Sequence, residues 1–269
     1  MSLNLKIVEK IVQIEFDHGK ANEMGLQQLK EFEELCDKIE NGDFRALISF
    51  SKRRSSKGTP IFVAGANVTE RVGWTRDQVA AHVRYQRSVL RRVRALPLFH
   101  VAVINGVALG WGTEFALTSD YRIGCEESQY GLPETGLGIL PGAGGTSELW
   151  THIGLPQALR LGMTGERIGS EEAQRIGLIQ ERCASVEAGL QRAMALAQRV
   201  SRNSPTAVAA FKSGLLASVG MSEADRVEVE ARAYEHCLDS GEAAIGRENF
   251  SKIREGEAPP WGPIERFTP

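Results

Sequence analysis

The feature that most constrains this chain is a glycine-rich stretch, residues 101–145, in which two glutamates stand among apolar neighbours. An apolar run at residues 101–104 leads into small residues, and the glycines at 110 and 112 then open a short helical pattern that carries Glu114. A strand that reaches a helix through glycines leaves backbone N–H groups free at the helix start. Because such donors suit an oxygen that gains negative charge during a reaction, we predict an active site here.

A second carboxylate, Glu134, lies twenty residues after Glu114, beside Pro133. Two carboxylates near one oxyanion site would form an acid/base arrangement. Each glutamate also has a plainer interpretation. Glu114 would only complement the dipole of its helix, and Glu134 would be a loop carboxylate in solvent.

The totals exclude several classes of protein. A net charge of -2 over 269 residues argues against nucleic acid as the main partner, because a surface that tracks phosphates usually shows an excess of Lys and Arg. The chain begins without the apolar core of a signal peptide and has no run long enough to span a membrane, so we expect a cytoplasmic protein. The four cysteines form no CxxC pair and no histidine stands at ligand spacing, which predicts reduced thiols and no metal site.

Periodicity predicts strands that alternate with helices in the first part of the chain. Residues 11–16 alternate as in a half-buried strand, with residues 5–8 as a hairpin partner, and residues 46–50 indicate a buried strand. Apolar positions at intervals of three and four predict amphipathic helices at residues 26–39 and 77–96.

Strand signals cease near residue 186, after a strand predicted at residues 178–182. Helical stripes follow, and residues 255–269 are rich in Pro and Gly, which indicates an irregular tail. The sequence therefore predicts an α/β body at residues 1–195 and a smaller α-helical end at residues 196–269.

Two basic clusters have alternative interpretations. The polar loop at residues 51–59, which contains Lys52, is either solvated or holds the anionic tail of a ligand. Four arginines share one face of the second helix, which suggests RNA, a solvated face or a subunit contact. The acidic total favours the last two uses of Arg84, Arg87, Arg91 and Arg94.

Four segments, in order, resemble the crotonase superfamily of enoyl-CoA hydratase/isomerase proteins over nearly the whole chain. They are Lys20-Ala21-Asn22, which is similar to a CoA-binding segment, residues 62–67 (FVAGAN), residues 105–114 (NGVALGWGTE) and residues 130–145 (YGLPETGLGILPGAGG). One such segment would be weak support, but four in the right order and spacing are strong support.

The resemblance implies an α/β fold, a crotonase-like spiral of ββα units with a C-terminal α-helical trimerisation domain. It implies an acyl-CoA substrate, no cofactor beyond the coenzyme A moiety of that substrate, and a homotrimer or dimer of trimers. It places the thioester oxygen on the backbone N–H groups of Ala66 and Trp111. The residues that it assigns to the coenzyme A moiety are Lys20, Ala21, Asn22, Ala64, Ala66, Gly110, Phe250 and Lys252.

Relatives that resemble enoyl-CoA hydratase carry both glutamates, and this chain has Glu114 and Glu134. The implied reaction is syn addition of water to a trans-2-enoyl-CoA, in which the carboxylates hold the water and Glu134 exchanges a proton with the α-carbon. Two close carboxylates oppose double ionisation, so one is expected to carry a proton. The alternatives are another crotonase reaction (double-bond isomerisation, decarboxylation or hydrolysis) or a non-catalytic trimer that binds RNA or protein.

The chain departs from the family pattern at three positions. Trp111 replaces the middle glycine of a glycine triple, and we hypothesise that its ring shortens or reshapes the acyl pocket. Asn67 replaces an aspartate, and Thr69 stands where many members have a lysine near the CoA phosphates. That charge would then come from Lys20, from the loop at residues 52–57 or from Lys252.

Overall fold

The computed structural model describes residues 3–269, and its ten strands divide between two sheets. In chain order the strands are β1 (Leu3–Val8), β2 (Ile11–Phe16), β3 (Ala46–Ser51), β4 (Ile61–Val63), β5 (Phe99–Ile104), β6 (Val107–Leu109), β7 (Tyr121–Cys125), β8 (Gln129–Gly131), β9 (Ile168–Gly169) and β10 (Glu181–Cys183). The larger sheet has the order β1-β2-β3-β5-β7-β10, and the smaller has the order β4-β6-β8-β9.

Successive strands alternate between the sheets. After the antiparallel hairpin of β1 and β2, the chain places β3, β5 and β7 in parallel in the larger sheet and β4, β6 and β8 in parallel in the smaller one. A helix follows each of these strand pairs. This repeat is a spiral of ββα units, as predicted.

Eleven α-helices lie within the described residues. They are α1 (Leu26–Glu40), α2 (Arg76–Arg94), α3 (Trp111–Ala116), α4 (Gly145–Ile153), α5 (Leu155–Thr164), α6 (Ser170–Arg175), α7 (Val186–Ser201), α8 (Pro205–Ala217), α9 (Glu223–Asp239), α10 (Glu242–Glu248) and α11 (Phe250–Arg254). None of the helices in residues 3–269 has the length and apolarity to cross a membrane.

The larger sheet separates two parts of the core. On β3, Leu47 points to one face, while Ala46, Ile48 and Phe50 point to the other, where the small residues of α7 cover them. Because a sheet covered on both faces buries every residue, β3 reads as a continuous buried run rather than an alternating one.

The predicted elements of the first half are confirmed, with small differences at their ends. The helix predicted at residues 26–39 is α1, and the helix predicted at residues 77–96 is α2, which ends at Arg94 and begins in a capping box between Thr75 and Gln78. The strand predicted at residues 178–182 is shorter and later, at β10. Leu178 and Ile179 both donate backbone N–H groups to the Ala173 carbonyl and so complete the turn that ends α6.

The helices after α7 form the C-terminal part of the chain. The predicted boundary at residue 195 falls inside α7, which packs against β3, β5 and β7 of the larger sheet. The division into two domains therefore stays a prediction. Residues 257–269 contain no helix or strand, and Glu265 N–H donates to the Thr206 hydroxyl of α8.

One close contact between the sheets and a helix positions the glycine turn. A Cβ atom on Gly112, in the first turn of α3, would overlap the carbonyl of Val63 at the end of β4. β4 is also paired in parallel with β6, the strand that leads directly into α3. The absence of a side chain at residue 112 therefore lets the start of α3 lie against the segment that follows β4.

This contact predicts that Gly112→Ala lowers the free energy of unfolding by about 1–3 kcal/mol, because backbone cannot move aside as a flexible side chain does. Gly162→Ala is the matched control, since no atom lies within 4 Å of a Cβ on that helical residue. The control should gain about 0.5–1 kcal/mol. Urea unfolding of both variants measures the difference, and equal stabilities would contradict the packing argument.

Candidate active site

Two backbone N–H groups lie on adjacent segments at the end of β4 and the start of α3. Met24 N–H donates to the Gly65 carbonyl at 2.9 Å, and the Met24 carbonyl accepts from Asn67 N–H at 2.8 Å, so the N–H of the intervening Ala66 points away from Met24. Trp111 is the first residue of α3 and has no acceptor within the helix. In residues 3–269 neither N–H donates to another group. Both remain available to an oxyanion.

Glu114 lies one turn into α3, and its side chain is held inside the protein. The residue is 4% exposed, and its Oε1 accepts the backbone N–H of Ala143 at 2.7 Å and that of Gly145 at 2.9 Å. Burial raises the pKa of this carboxyl, while these N–H groups and Arg87 act in the opposite direction. The segment at residues 141–145 therefore fixes the carboxylate and partly compensates its burial.

Glu134 lies in a short 3₁₀ helix, Pro133–Leu137, with its carboxyl against the glycine turn. A Cβ on Gly110 would overlap its Oε1, and Gly110 has a φ of 50°, a conformation that favours glycine. Burial raises the pKa of Glu134 to about 7, and the neighbouring charge of Glu114 contributes to the rise. Its Oε2 is buried and has no partner in the described part of the chain.

The two carboxyl groups therefore lie in different environments within one site. Glu114 has two N–H donors on one oxygen, whereas the Glu134 Oε2 has none. Burial raises the pKa of both carboxyls, and the two N–H donors on Glu114 oppose that rise, so the pair is suited to sharing one proton. Such a pair can deliver a proton and accept one near neutral pH.

The Trp111 side chain lies in the core. Its indole ring stacks on Phe115, with centroids 5.4 Å apart and an interplanar angle of 17°, and its centroid is 6.0 Å from that of Phe32 on α1. The residue is 2% exposed, and its Nε1 has no partner among residues 3–269. The hypothesis that this ring reshapes an acyl pocket stays a prediction.

The segment predicted to bind CoA lies beside the segment that leads to Ala66. Ala64 N–H donates to the Ala21 carbonyl at 3.0 Å, and Lys20 is exposed at the adjoining turn. Asn22 is fully buried, with a φ of 55°, and its side-chain amide donates to the Phe62 carbonyl at 2.8 Å. The Asn22 side chain therefore anchors the turn and is not free to contact a ligand.

The basic loop at residues 51–59 joins the same turn. The Arg53 guanidinium donates to the Asp17 carboxylate at 2.5 Å and to the Lys20 carbonyl at 3.3 Å. Lys52 is exposed on this loop. Arg53 thus joins the loop to the turn that carries Lys20, while the Lys52 ammonium lies 6.0 Å from the centroid of the Phe50 ring.

Phe250 and Lys252 make no hydrogen bond to the candidate site within residues 3–269. Both are exposed on α11, which packs against α10, and no hydrogen bond within residues 3–269 joins either side chain to the segments around Ala66 and Trp111. Their role in binding the coenzyme A moiety stays a prediction.

The four arginines of α2 do not form a free basic stripe. Arg87 donates to the Gly142 carbonyl at 2.9 Å, beside the segment that holds Glu114, and Arg94 pairs with Glu148. Arg84 and Arg91 are exposed. Because Arg87 and Arg94 have partners within the chain, the arginine face gives less support to RNA binding than the sequence pattern does.

Sequence reasoning missed the groups that hold Glu114. The sequence marks residues 141–145 only as part of a family motif. In the structure the N–H groups of Ala143 and Gly145 donate to the Glu114 carboxylate, and Arg87 donates to the Gly142 carbonyl. The density of small residues was the available signal, since small residues let backbone approach a buried group.

Comparison with known proteins gives a consistent result. The family model described as "Enoyl-CoA hydratase/isomerase" matches residues 6–262. A Bacillus subtilis protein named as an enoyl-CoA hydratase/isomerase is 34% identical over 235 residues, which are 87% of this chain and 88% of that protein. A Mycosarcoma maydis enoyl-CoA isomerase/hydratase is 34% identical over 197 residues, 73% of this chain and 72% of the relative.

Solved structures agree with these matches. The crystal structure of an enoyl-CoA hydratase from Bacillus anthracis superposes with a TM-score of 0.88 at 31% identity, covering 97% of this chain and 99% of that one. The crotonase-like fold is therefore confirmed, and the chain belongs to the enoyl-CoA hydratase/isomerase family.

The raised pKa of Glu134 predicts a pH-dependent effect of Glu134→Gln on stability. The carboxyl has an ordinary pKa of 4.5 and a folded value of about 7, so the folded state loses stability as pH rises from the first value through the second. Glutamine cannot ionise. The variant should match the native protein below about pH 4.5 and exceed it in free energy of unfolding above about pH 7.

Chemical denaturation at pH 4.5 and pH 8 tests this expectation, with the exposed Glu257→Gln as the control. If Glu134→Gln is no more stable than the native protein at pH 8, or is more stable by the same amount at both pH values, ionised Glu134 does not destabilise the fold and the expectation is wrong.

Proposed function

We propose that this member of the enoyl-CoA hydratase/isomerase family is an enoyl-CoA hydratase, which adds water reversibly to a trans-2-enoyl-CoA with syn geometry. The observation that carries the proposal is the pair of carboxyls, buried Glu114 and half-buried Glu134, beside the free N–H groups of Ala66 and Trp111. Addition of water needs a base for the water, an acid for the α-carbon and a site for the enolate oxygen. The four residues supply these three functions.

In the hydration direction, the thioester carbonyl accepts hydrogen bonds from the N–H groups of Ala66 and Trp111. Ionised Glu114 takes a proton from the water while the water oxygen forms a bond to the β-carbon. The π electrons of the double bond move toward the thioester oxygen, where the two N–H groups stabilise the enolate. Protonated Glu134 then gives its proton to the α-carbon. After this step Glu114 is protonated and Glu134 is ionised. Proton exchange with solvent restores the starting protonation states.

The raised pKa of Glu134 supports this division of roles. A carboxyl with a pKa of about 7 is substantially protonated at neutral pH and can act as an acid, whereas an ordinary carboxyl would be almost fully ionised. Glu114 keeps its oxygen fixed by two N–H donors, which suits a base that must hold a water in one position.

For the coenzyme A moiety we favour the turn at residues 20–22 and the loop that holds Lys52. The Ala64 N–H donates to the Ala21 carbonyl, so the turn lies beside the segment that carries Ala66. Lys20 and Lys52 are both exposed, and their positive charges suit the phosphates of a CoA.

Assembly as a homotrimer or dimer of trimers belongs to the same proposal. Several apolar side chains on α8 and α9 are exposed, among them Phe211 at 73% and Tyr234 at 68%, and they border a groove of about 540 Å³. Exposed apolar patches of this kind mark contact sites. A cytoplasmic location stays a prediction, since four of the relatives carry mitochondrial names.

The proposal predicts that the purified protein consumes the ultraviolet absorbance of a conjugated enoyl thioester in a screen of straight and branched enoyl-CoAs. Glu134→Gln should lower kcat/KM for hydration by about 10²–10⁴-fold or more, because the acid is lost while its shape remains. Glu114→Gln should have an effect of similar size. The exposed Glu257→Gln serves as the control.

The pH profile is part of the same experiment. The active form has one proton on the carboxyl pair, so kcat/KM should fall above an apparent pKa of about 7 in the native protein. Dehydration must show the same profile, because the two values of kcat/KM are linked by a pH-independent equilibrium constant. Failure to hydrate any enoyl-CoA, with double-bond migration in 3-enoyl-CoA instead, would overturn the hydratase assignment in favour of isomerisation.

A further inference from the structure

Two cysteines that are far apart in sequence are neighbours in the larger sheet. Cys125 ends β7 and Cys183 ends β10, and these strands pair in parallel with the two residues directly opposite each other. Their Sγ atoms are 3.5 Å apart, and both thiols are free. The usual spacing of paired strands, about 4.8 Å, lies within the range of about 4.4–6.8 Å that Cα atoms take in disulfides.

The surroundings of Cys183 favour its thiolate. Cys183 is half-buried and precedes the N-terminus of α7, where Ser185 is the N-cap. The hydrogen bond with Cys125 and the backbone N–H groups of Ser185 and Gly189 lower the pKa of Cys183. The protonated thiol can in turn donate to the Ser185 carbonyl, 3.3 Å away. Gly189 also leaves room for the sulfur, since a Cβ there would lie 3.1 Å from the Cys183 Sγ.

Cys125 has the opposite character. It is 4% exposed and lies against Ala193 and Ala197 of α7. The hydrogen bond with Cys183 and burial both raise its pKa, so its thiol keeps its proton at rest. Cys183 is therefore the more accessible sulfur, and Cys125 is buried 3.5 Å from it. This is the arrangement of an attacking and a resolving cysteine.

The charges around the pair select the kind of oxidant. The carboxylates that act on the two sulfurs are Glu126 on Cys183 and Glu127 and Glu187 on Cys125, each of which disfavours negative charge there. An anionic oxidant such as glutathione disulfide would be repelled by these groups, whereas a small uncharged peroxide would not.

We propose that Cys183 and Cys125 form a redox modification site, in which a small uncharged hydroperoxide oxidises Cys183 and Cys125 then closes an intramolecular disulfide. The inference does not depend on the hydratase assignment, because neither cysteine belongs to the carboxylate pair or to the N–H donors.

The steps balance with the peroxide as the oxidant. The Cys183 thiolate attacks one peroxide oxygen, the O–O bond breaks, and the departing oxygen takes a proton and leaves as water or an alcohol. Cys183 is then a sulfenic acid. The Cys125 sulfur attacks that sulfur, the S–O bond breaks, and the hydroxyl leaves as water with the proton of Cys125. Two thiols lose two electrons in total, and the peroxide gains them.

The test is peroxide titration of the full-length native protein, followed by thiol counting and peptide mass mapping. Two of the four thiols should be lost, and one crosslinked peptide pair should contain Cys125 and Cys183. A thiol reductant should restore both. Cys237 is the matched internal control, since it is also half-buried but burial raises its pKa, and it should remain reduced.

Two variants separate the roles of the sulfurs. In Cys125→Ala, Cys183 should stop at a sulfenic acid that a dimedone probe captures, and then oxidise further. In Cys183→Ser, Cys125 should remain a thiol, and circular dichroism of both variants confirms that they are folded. Oxidation of Cys237 before Cys183, or conversion of native Cys183 to a sulfinic acid without a crosslink, would overturn the proposal.

Discussion

The contact between Gly112 and the Val63 carbonyl is the constraint on which the proposed site depends. A side chain at residue 112 would separate α3 from the end of β4, and with it the Trp111 N–H from the Ala66 N–H. The two donors come from different ββα units, so no local sequence rule can place them together. The parallel pairing of β4 with β6 brings the units into register, and the missing Cβ completes the approach.

The same glycine turn also separates the environments of the two carboxyls. Glu114 extends from α3 into a loop whose N–H groups stabilise its charge, whereas Glu134 packs against Gly110 with one oxygen unpartnered. Such differences in solvation let two chemically identical groups act as a base and an acid. Burial of an unpartnered carboxyl opposes folding once it ionises, and this is the usual conflict between stability and function at an active site.

The sequence predicted the long elements of the fold and missed several short ones. Periodicity located α1, α2 and β2, whose apolar patterns are long, but not β6, β8 and β9, which have two or three residues each and too few positions for a period. The dense glycines and the isolated glutamates marked the site because those residue types are costly elsewhere. The contacts of Glu114 with residues 143 and 145, and of Cys125 with Cys183, are tertiary and leave no local pattern.

The central claim is that two carboxyls on one side of the substrate add the elements of water under a backbone oxyanion site. Hydration of crotonyl-CoA in deuterium oxide, with the product analysed by nuclear magnetic resonance, tests it most directly. We expect one deuterium on the α-carbon, on the same face as the new hydroxyl group. Deuterium on the opposite face, or equally in both α positions at the earliest times, would contradict it.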